Sequence, residues 1–231
     1  MLFVLMQNLL FSHIYTNDMR ANMIQKILSF VVLAFCTFSV SAFPVAEGQQ
    51  YSRMGRPVKD APMVVEFFSF YCPPCMAFSR EYKVSEAINQ VLPEGTKVEK
   101  YHVGAMGSLG QNLTTAWSVA MALGVTDKVE HPLFIAVQDK KYLRNEEDIR
   151  QVFIDAGISA TEYDAAKDSF VVKALTQKQI HAAQSFEVQG TPSFYVNGKY
   201  ILNNNGTGET SPGKYGATVA QIVKALLLGK E

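Results

Sequence analysis

The chain has 231 residues, 48% of them hydrophobic, with 21 basic and 21 acidic side chains. That composition is ordinary for a globular protein of one or two domains. A formal net charge of zero and the absence of a basic run give no footing for nucleic-acid binding.

From Met23 the sequence reads "MIQKILSFVVLAFCTFSVSA", with a cationic start at Lys26 and an apolar core from Ile27 to Phe38. It ends in Val40-Ser41-Ala42, small residues of the kind a signal peptidase cuts after. The apolar core is well short of the roughly 20 residues that a membrane-spanning helix needs. Residues 1–42 are read as a cleaved secretory signal with an upstream extension, the true start being Met1, Met19 or Met23. Cys36 lies in "LAFC", but bulky Phe35 just before it argues against lipidation. Cleavage leaves 189 residues and removes Asp18, Arg20 and Lys26, so one net negative charge remains. Of the three cysteines, Cys72 and Cys75 are retained.

Residues 46–54 are a polar lead-in that can hold a short edge strand. Met63 to Phe70, "MVVEFFSF", is dense in apolar and β-branched residues and predicts a strand buried on both faces. After Cys72, helical spacing runs through Met76, Ala77, Tyr82, Val84, Ala87, Ile88 and Val91, and stops at Pro93-Glu94-Gly95. "TKVEKYHV", 96–103, alternates and predicts a second strand, completing a strand–helix–strand unit. Leu113, Ala116, Trp117, Ala120 and Met121 recur at helical spacing up to Gly124, and a further helix is expected to start near Pro132. Asn145 with Glu146, Glu147 and Asp148 forms a good first turn for another, and Ser159 with Glu162 is a capping-box pattern. A last helix of this stretch is expected to run to about Ser185. "TPSFYVNGKYIL" then predicts a hairpin turning at Asn197-Gly198. A polar loop, 203–213, leads into a closing helix with Val219, Ile222, Val223 and Leu226 on its apolar side.

The chemistry concentrates in Cys72-Pro73-Pro74-Cys75, placed at the first strand-to-helix turn. A helix N-terminus offers unpaired N–H groups and partial positive charge, which stabilise a thiolate at Cys72. A lower thiol pKa supplies the attacking species and, in reverse, a better leaving group. Cys75, one turn in, is expected to point inward and to be the less accessible sulfur. Proline is tolerated in a first turn, whose N–H groups lack intrahelical partners, and two prolines stiffen the loop while deleting two donors. Zinc is disfavoured because no second cysteine pair exists and His102, His131 and His181 are scattered, so no metal is expected. A purely structural bridge is disfavoured because so small a loop constrains the unfolded chain little. Redox catalysis is the reading that remains, with its direction open. Glu66, inside the buried run, can be a proton acceptor for Cys75 with Lys100 as partner, a structural Glu66–Lys100 pair, or an edge carboxylate that reaches water. Thr191-Pro192 precedes the hairpin and, by itself, reads as a turn.

Together these residues resemble the thioredoxin superfamily and, within it, the DsbA-type thiol:disulfide oxidoreductases of the bacterial periplasm. The likeness covers "EFFSFYCPPC", "LPEG", "KYHV", "TTAWSVAMALGV", "FIDAGI", "EYDAAKDSFVVKAL" and "FYVNGKY", in order along nearly the whole of 43–231. It implies an α/β, thioredoxin-like fold formed by 43–103 and 186–231 with a helical insertion at 104–185. It implies a cis Pro192 beside the active disulfide, a substrate surface of Thr191, Pro192, Pro73 and Pro74, and a Glu66–Lys100 pair tied to proton transfer. No cofactor beyond the Cys72–Cys75 disulfide is implied. The expected activity is donation of that disulfide to cysteine pairs of unfolded or newly exported proteins, with reoxidation by a quinone-linked membrane partner of the DsbB type. The periplasm and a monomer are expected. The alternatives are a reductase or isomerase and a chaperone-like peptide binder. Two departures from the major family pattern matter: Pro74 replaces a thiolate-holding histidine, and Thr191 replaces valine. Both occur in the narrower SrgA-type branch, and the missing histidine implies a milder oxidant.

Overall fold

A computed structural model describes residues 45–229, and the expected signal segment with its extension lies outside them. Among the described residues five strands form one sheet in the order β1-β5-β4-β2-β3. They are β1 (Tyr51–Arg53), β2 (Val64–Phe68), β3 (Glu99–His102), β4 (Ser193–Val196) and β5 (Tyr200–Leu202). β2 is an inner strand, parallel to β3 and antiparallel to β4. All five of its residues are buried, as its unbroken apolar and β-branched run requires of a strand covered on both faces. The β4–β5 hairpin turns at Asn197 (φ 50°) and Gly198 (φ 61°), the left-handed pair that a two-residue turn of this kind demands.

Eight α-helices surround the sheet among the described residues. α1 (Pro73–Arg80) and α2 (Val84–Asn89) follow β2. Between β3 and β4 come α3 (Gly110–Leu123), α4 (Thr126–Phe134), a π-helical turn (Ile135–Asp139), α5 (Glu146–Asp155), α6 (Ala160–Asp168) and α7 (Phe170–Ser185). α8 (Pro212–Leu227) closes the chain. The cap signals fall where expected: Asn145 and Ser159 each form a complete capping box, and Gly124 ends α3 at φ 67°.

Alternate residues of β2 serve two cores. Val64 packs with Phe194, Val196 and the apolar faces of α2 and α8, whereas Val65 and Phe67 pack with Tyr101, Tyr195 and Phe186. A third core, built by α3 to α7, takes in Phe68, Phe70 and both cysteines of the redox turn.

Two expectations need correction. The helix predicted from Cys72 to Pro93 is broken, because Lys83 adopts φ 48° and separates α1 from α2. The break accommodates α8: a Cβ on Gly216 would lie 2.3 Å from the Tyr82 carbonyl oxygen, and Tyr215 packs on Phe78 and Tyr82. The helix expected to start near Pro132 begins at Thr126 and carries Pro132 inside it. Proline is favoured in a first turn, so its position suggests a start. Here tertiary packing tolerates it within the helix, and the backbone continues as the π-helical turn.

His102 ties these parts together. Its Nε2 accepts from the Phe70 N–H (3.2 Å), so the ring proton sits on Nδ1 and is directed at Thr114 Oγ1 (2.9 Å). Thr114 Oγ1 in turn donates to the Gly110 carbonyl, and the His102 N–H donates to Gln179 Oε1 (2.7 Å). One neutral imidazole thus joins β3 to α3 and to the approach of the redox turn, while the adjoining backbone reaches α7. Burial pushes its pKa from 6.5 down to about 3. The unfolded chain therefore binds a proton that the folded protein refuses, and stability falls as pH drops through 6.5 toward 3. Between pH 7 and 5 this group alone is expected to remove roughly 2 kcal/mol. Urea unfolding at both pH values checks it: His102→Gln should lower stability at pH 7 and lose distinctly less between pH 7 and 5 than the wild-type chain.

Candidate redox site

Cys72 is the N-cap of α1, in an extended conformation that ends the chain's run out of β2. Cys72 and Cys75 are disulfide-linked, with Cα atoms 5.3 Å apart. Pro73 and Pro74 fill the first two helical positions, both exposed and both without an N–H. The first amide the helix can offer is therefore that of Cys75. It lies 3.2 Å from Cys72 Sγ and is shared with the Cys72 carbonyl at 3.1 Å. The expected difference in accessibility between the sulfurs is slight: Cys72 is 3% exposed and Cys75 1%. Covering by the cis-proline loop and by the α3–α7 core shields both residues.

That loop faces the first sulfur. The Thr191–Pro192 peptide is cis, as the resemblance implied, and the Thr191 carbonyl oxygen lies 3.3 Å from Cys72 Sγ. Asn204 Nδ2 donates to the Pro192 carbonyl (2.7 Å) and holds the loop from the far side. Thr191 Oγ1 is the one buried side-chain polar atom without a hydrogen-bond partner among the described residues. A cavity of about 560 Å³ opens here, with Pro74, Thr191 and Pro192 at one end and Phe78, Tyr82 and Tyr215 among its walls.

Behind the redox turn, the parallel register sets Glu66 of β2 beside Lys100 of β3. Lys100 Nζ lies 3.1 Å from Glu66 Oε2 and 2.6 Å from Glu130 Oε1. Ser85 donates to Glu66 (2.6 Å) and Ser79 to Glu130 (2.8 Å). Glu66 is 2% and Lys100 16% exposed, so the carboxylate does not reach water at an edge. Burial by itself would lower the Lys100 pKa, but Glu66 and Glu130 more than offset this and hold the ammonium well above its ordinary range.

The structure brings the Cys72–Cys75 disulfide, Pro74, Thr191 and Pro192 together, leaves Pro73 on a separate cavity, and joins Glu66 with Lys100 in one buried pair. Three contributors were not legible. Glu130 carries no signal, since its partner is distant in sequence. Gln138 donates to the carbonyls of Phe70 (2.8 Å) and Cys72 (3.0 Å), and the π-helical turn that delivers it is invisible to 3.6-residue periodicity. His102 ends a predicted strand, and in the sequence it stands out only as a scattered ligand candidate. Among the described residues no group of three or more His, Cys, Asp or Glu side chains is placed to hold a metal ion.

The buried pair makes a direct prediction. Lys100→Met would leave Glu66 and Glu130 facing each other without a cation, and breaking such a pair costs about 3–5 kcal/mol at neutral pH. Chemical denaturation should show that loss. The double change Lys100→Met with Glu66→Gln should recover a clear part of it.

The site can be compared with known proteins. A family model described as the DSBA-like thioredoxin domain matches residues 63–212. The thiol:disulfide interchange protein DsbA of Pectobacterium carotovorum is 48% identical over 200 residues, covering 87% of this chain and 95% of that one. The crystal structure of Proteus mirabilis DsbA superposes with a TM-score of 0.78 at 44% identity, covering 80% of this chain and 98% of that one. A second structure of that protein, in a cysteine-to-serine form, holds the non-covalently bound peptide PWATCDS. SrgA of Salmonella enterica serovar Typhimurium superposes with a TM-score of 0.73 at 44% identity, covering 77% of this chain and 99% of that one. The chain belongs to the DsbA family, a thioredoxin-like fold with helices inserted into it, and is a thiol:disulfide oxidoreductase whose reagent is its own Cys72–Cys75 disulfide.

Proposed function

We propose that the chain is a periplasmic dithiol oxidase acting on unfolded, newly exported proteins. The observation that carries this reading is the setting of Cys72 Sγ, capped by the Cys75 amide on one side and faced by the Thr191 carbonyl of a cis-proline loop on the other. A client thiolate attacks Cys72 Sγ, the bond to Cys75 breaks, and Cys75 leaves as a thiolate that takes up a proton. A second client thiolate then attacks the client sulfur of the mixed disulfide and displaces Cys72. Two electrons pass from client to enzyme, and a quinone-linked membrane partner of the DsbB type removes them with two protons.

Cys72 and Cys75 are the reacting atoms in this scheme. Pro73, Pro74, Thr191 and Pro192 form the surface along which an extended client lies, a role supported for Pro74, Thr191 and Pro192 by the cavity they line and by the peptide complex of the Proteus mirabilis relative. Glu66, held by Lys100, serves as the proton acceptor and donor for Cys75. Residues 104–185 act as an inserted helical domain that covers the inner sulfur, and the protein works as a monomer. The signal pattern at 23–42 supports export.

Trapping tests the exchange chemistry and its clients, and complementation tests the direction of transfer. A Cys75→Ser variant expressed with its signal should accumulate mixed disulfides between Cys72 and several exported proteins, and Cys72→Ser should accumulate none. In cells lacking their main oxidase the wild-type chain should restore disulfides in reduced clients. Unscrambling of mispaired disulfides without that restoration would favour the isomerase reading.

A further inference from the structure

The redox turn is a ridge between two cavities of opposite charge. Pro74 borders the cavity beside the cis-proline loop, whose lining includes the carboxylate of Glu209 and no cation. Pro73 and Tyr71 border a second cavity of about 470 Å³, whose lining includes Lys141 and Arg144 and no carboxylate. The residues on either side of Cys72 line the second cavity, so it adjoins the redox turn.

This second cavity is fixed by its surroundings. The Tyr71 ring lies over Gly107, where a Cβ would stand 2.3 Å from ring carbons. Gln138, also in the lining, is tied to the Phe70 and Cys72 carbonyls. Lys141 turns the chain at φ 53°, and Arg144 Nη1 donates to the carbonyls of Lys141 (2.7 Å) and Leu143 (3.1 Å). Among the described residues neither cation meets a carboxylate within ion-pair distance. The nearby acids are engaged otherwise: Asp148 accepts from the backbone N–H groups of Arg144 and Asn145, and Asp139 faces Arg80. Lys141 and Arg144 therefore line a cleft beside the redox turn without a salt bridge among the described residues, and Asp148, the nearest carboxylate, is turned to backbone N–H groups.

We infer that the Lys141–Arg144 cleft takes an acidic side chain of the client, so that cysteines with Asp or Glu nearby on one side are preferred and cross the redox turn in one orientation. An extended chain advances about 3.3 Å per residue, which puts side chains one to three positions from the client cysteine within reach of the cleft. Complementary charge at such a rim acts mainly on encounter and register. This inference rests on the oxidoreductase reading and adds the client's chemical class to it.

Single-cysteine peptides with Glu, Gln or Lys at one to three positions before or after the cysteine test it, by the rate of mixed-disulfide formation with the oxidised protein. On one side of the cysteine, Glu peptides should react about two- to ten-fold faster than Lys peptides at low salt. The advantage should fade near 0.5 M salt, where the screening length is about half its physiological value. Lys141→Asn, which suits the left-handed backbone, should shrink the ratio, and Lys141→Glu, which leaves the cleft with one charge of each sign, should bring it close to one, while both react normally with the Gln peptide. Equal rates for Glu and Lys peptides on both sides, or a ratio that the two variants leave unchanged, overturns the inference. Failure of every peptide to react, the Gln peptide included, would instead count against the oxidase reading. Titration of the same peptides onto a Cys72→Ser form would then decide the cleft by affinity: equal binding of Glu and Lys peptides overturns it.

Discussion

The structure turns on a single helix terminus whose first amide serves one sulfur. Cys72 caps α1, and because Pro73 and Pro74 carry no N–H, the Cys75 amide is the only first-turn donor left to it. That amide is shared with the Cys72 carbonyl, so its support for charge on Cys72 is divided. The helix dipole still favours a thiolate there. Every other element near the site fixes where this terminus sits: β2 aims it, the cis-proline loop faces it, and Gln138 from the π-helical turn holds its backbone.

The two-sided burial of β2 explains how a loop so exposed at its prolines stays rigid. Phe68 and Phe70 run from the strand into an aromatic cluster with Trp117 and Phe134, and His102 closes that cluster with hydrogen bonds to the Phe70 amide and Thr114. Trp117 also donates to the Lys100 carbonyl (2.8 Å), which fixes β3 as it presents Lys100 to Glu66. Polar groups are thus buried in satisfied sets, where low local dielectric strengthens them, and the redox turn rests on a support with few ways to relax.

Much of this was legible in the chain. The apolar run of β2, the capping boxes of α5 and α6, and the Asn197-Gly198 turn each obey a local rule that tertiary packing had no reason to override. What was not legible came from contacts between distant segments. Lys83 breaks a continuous helical pattern because α8 approaches at Gly216, and nothing near Lys83 reports it. Pro132 sits inside α4 where a local rule places it at a start. At the site, the cysteines and prolines were visible as a motif, and Glu66 with Lys100 as a candidate pair. Glu130, Gln138 and the cationic cleft required the fold to bring α4, the π-helical turn and the following loop against the redox turn.

The central claim is that the helix terminus, with one shared amide and no histidine, activates Cys72 moderately. Thiolate absorbance of the reduced protein against pH measures it directly, with Cys75→Ser to assign the signal. The account predicts a Cys72 midpoint below the ordinary thiol value of about 8.5 and a further fall in a Pro74→His variant. A midpoint at or above the ordinary value, or no response to the histidine, would contradict it.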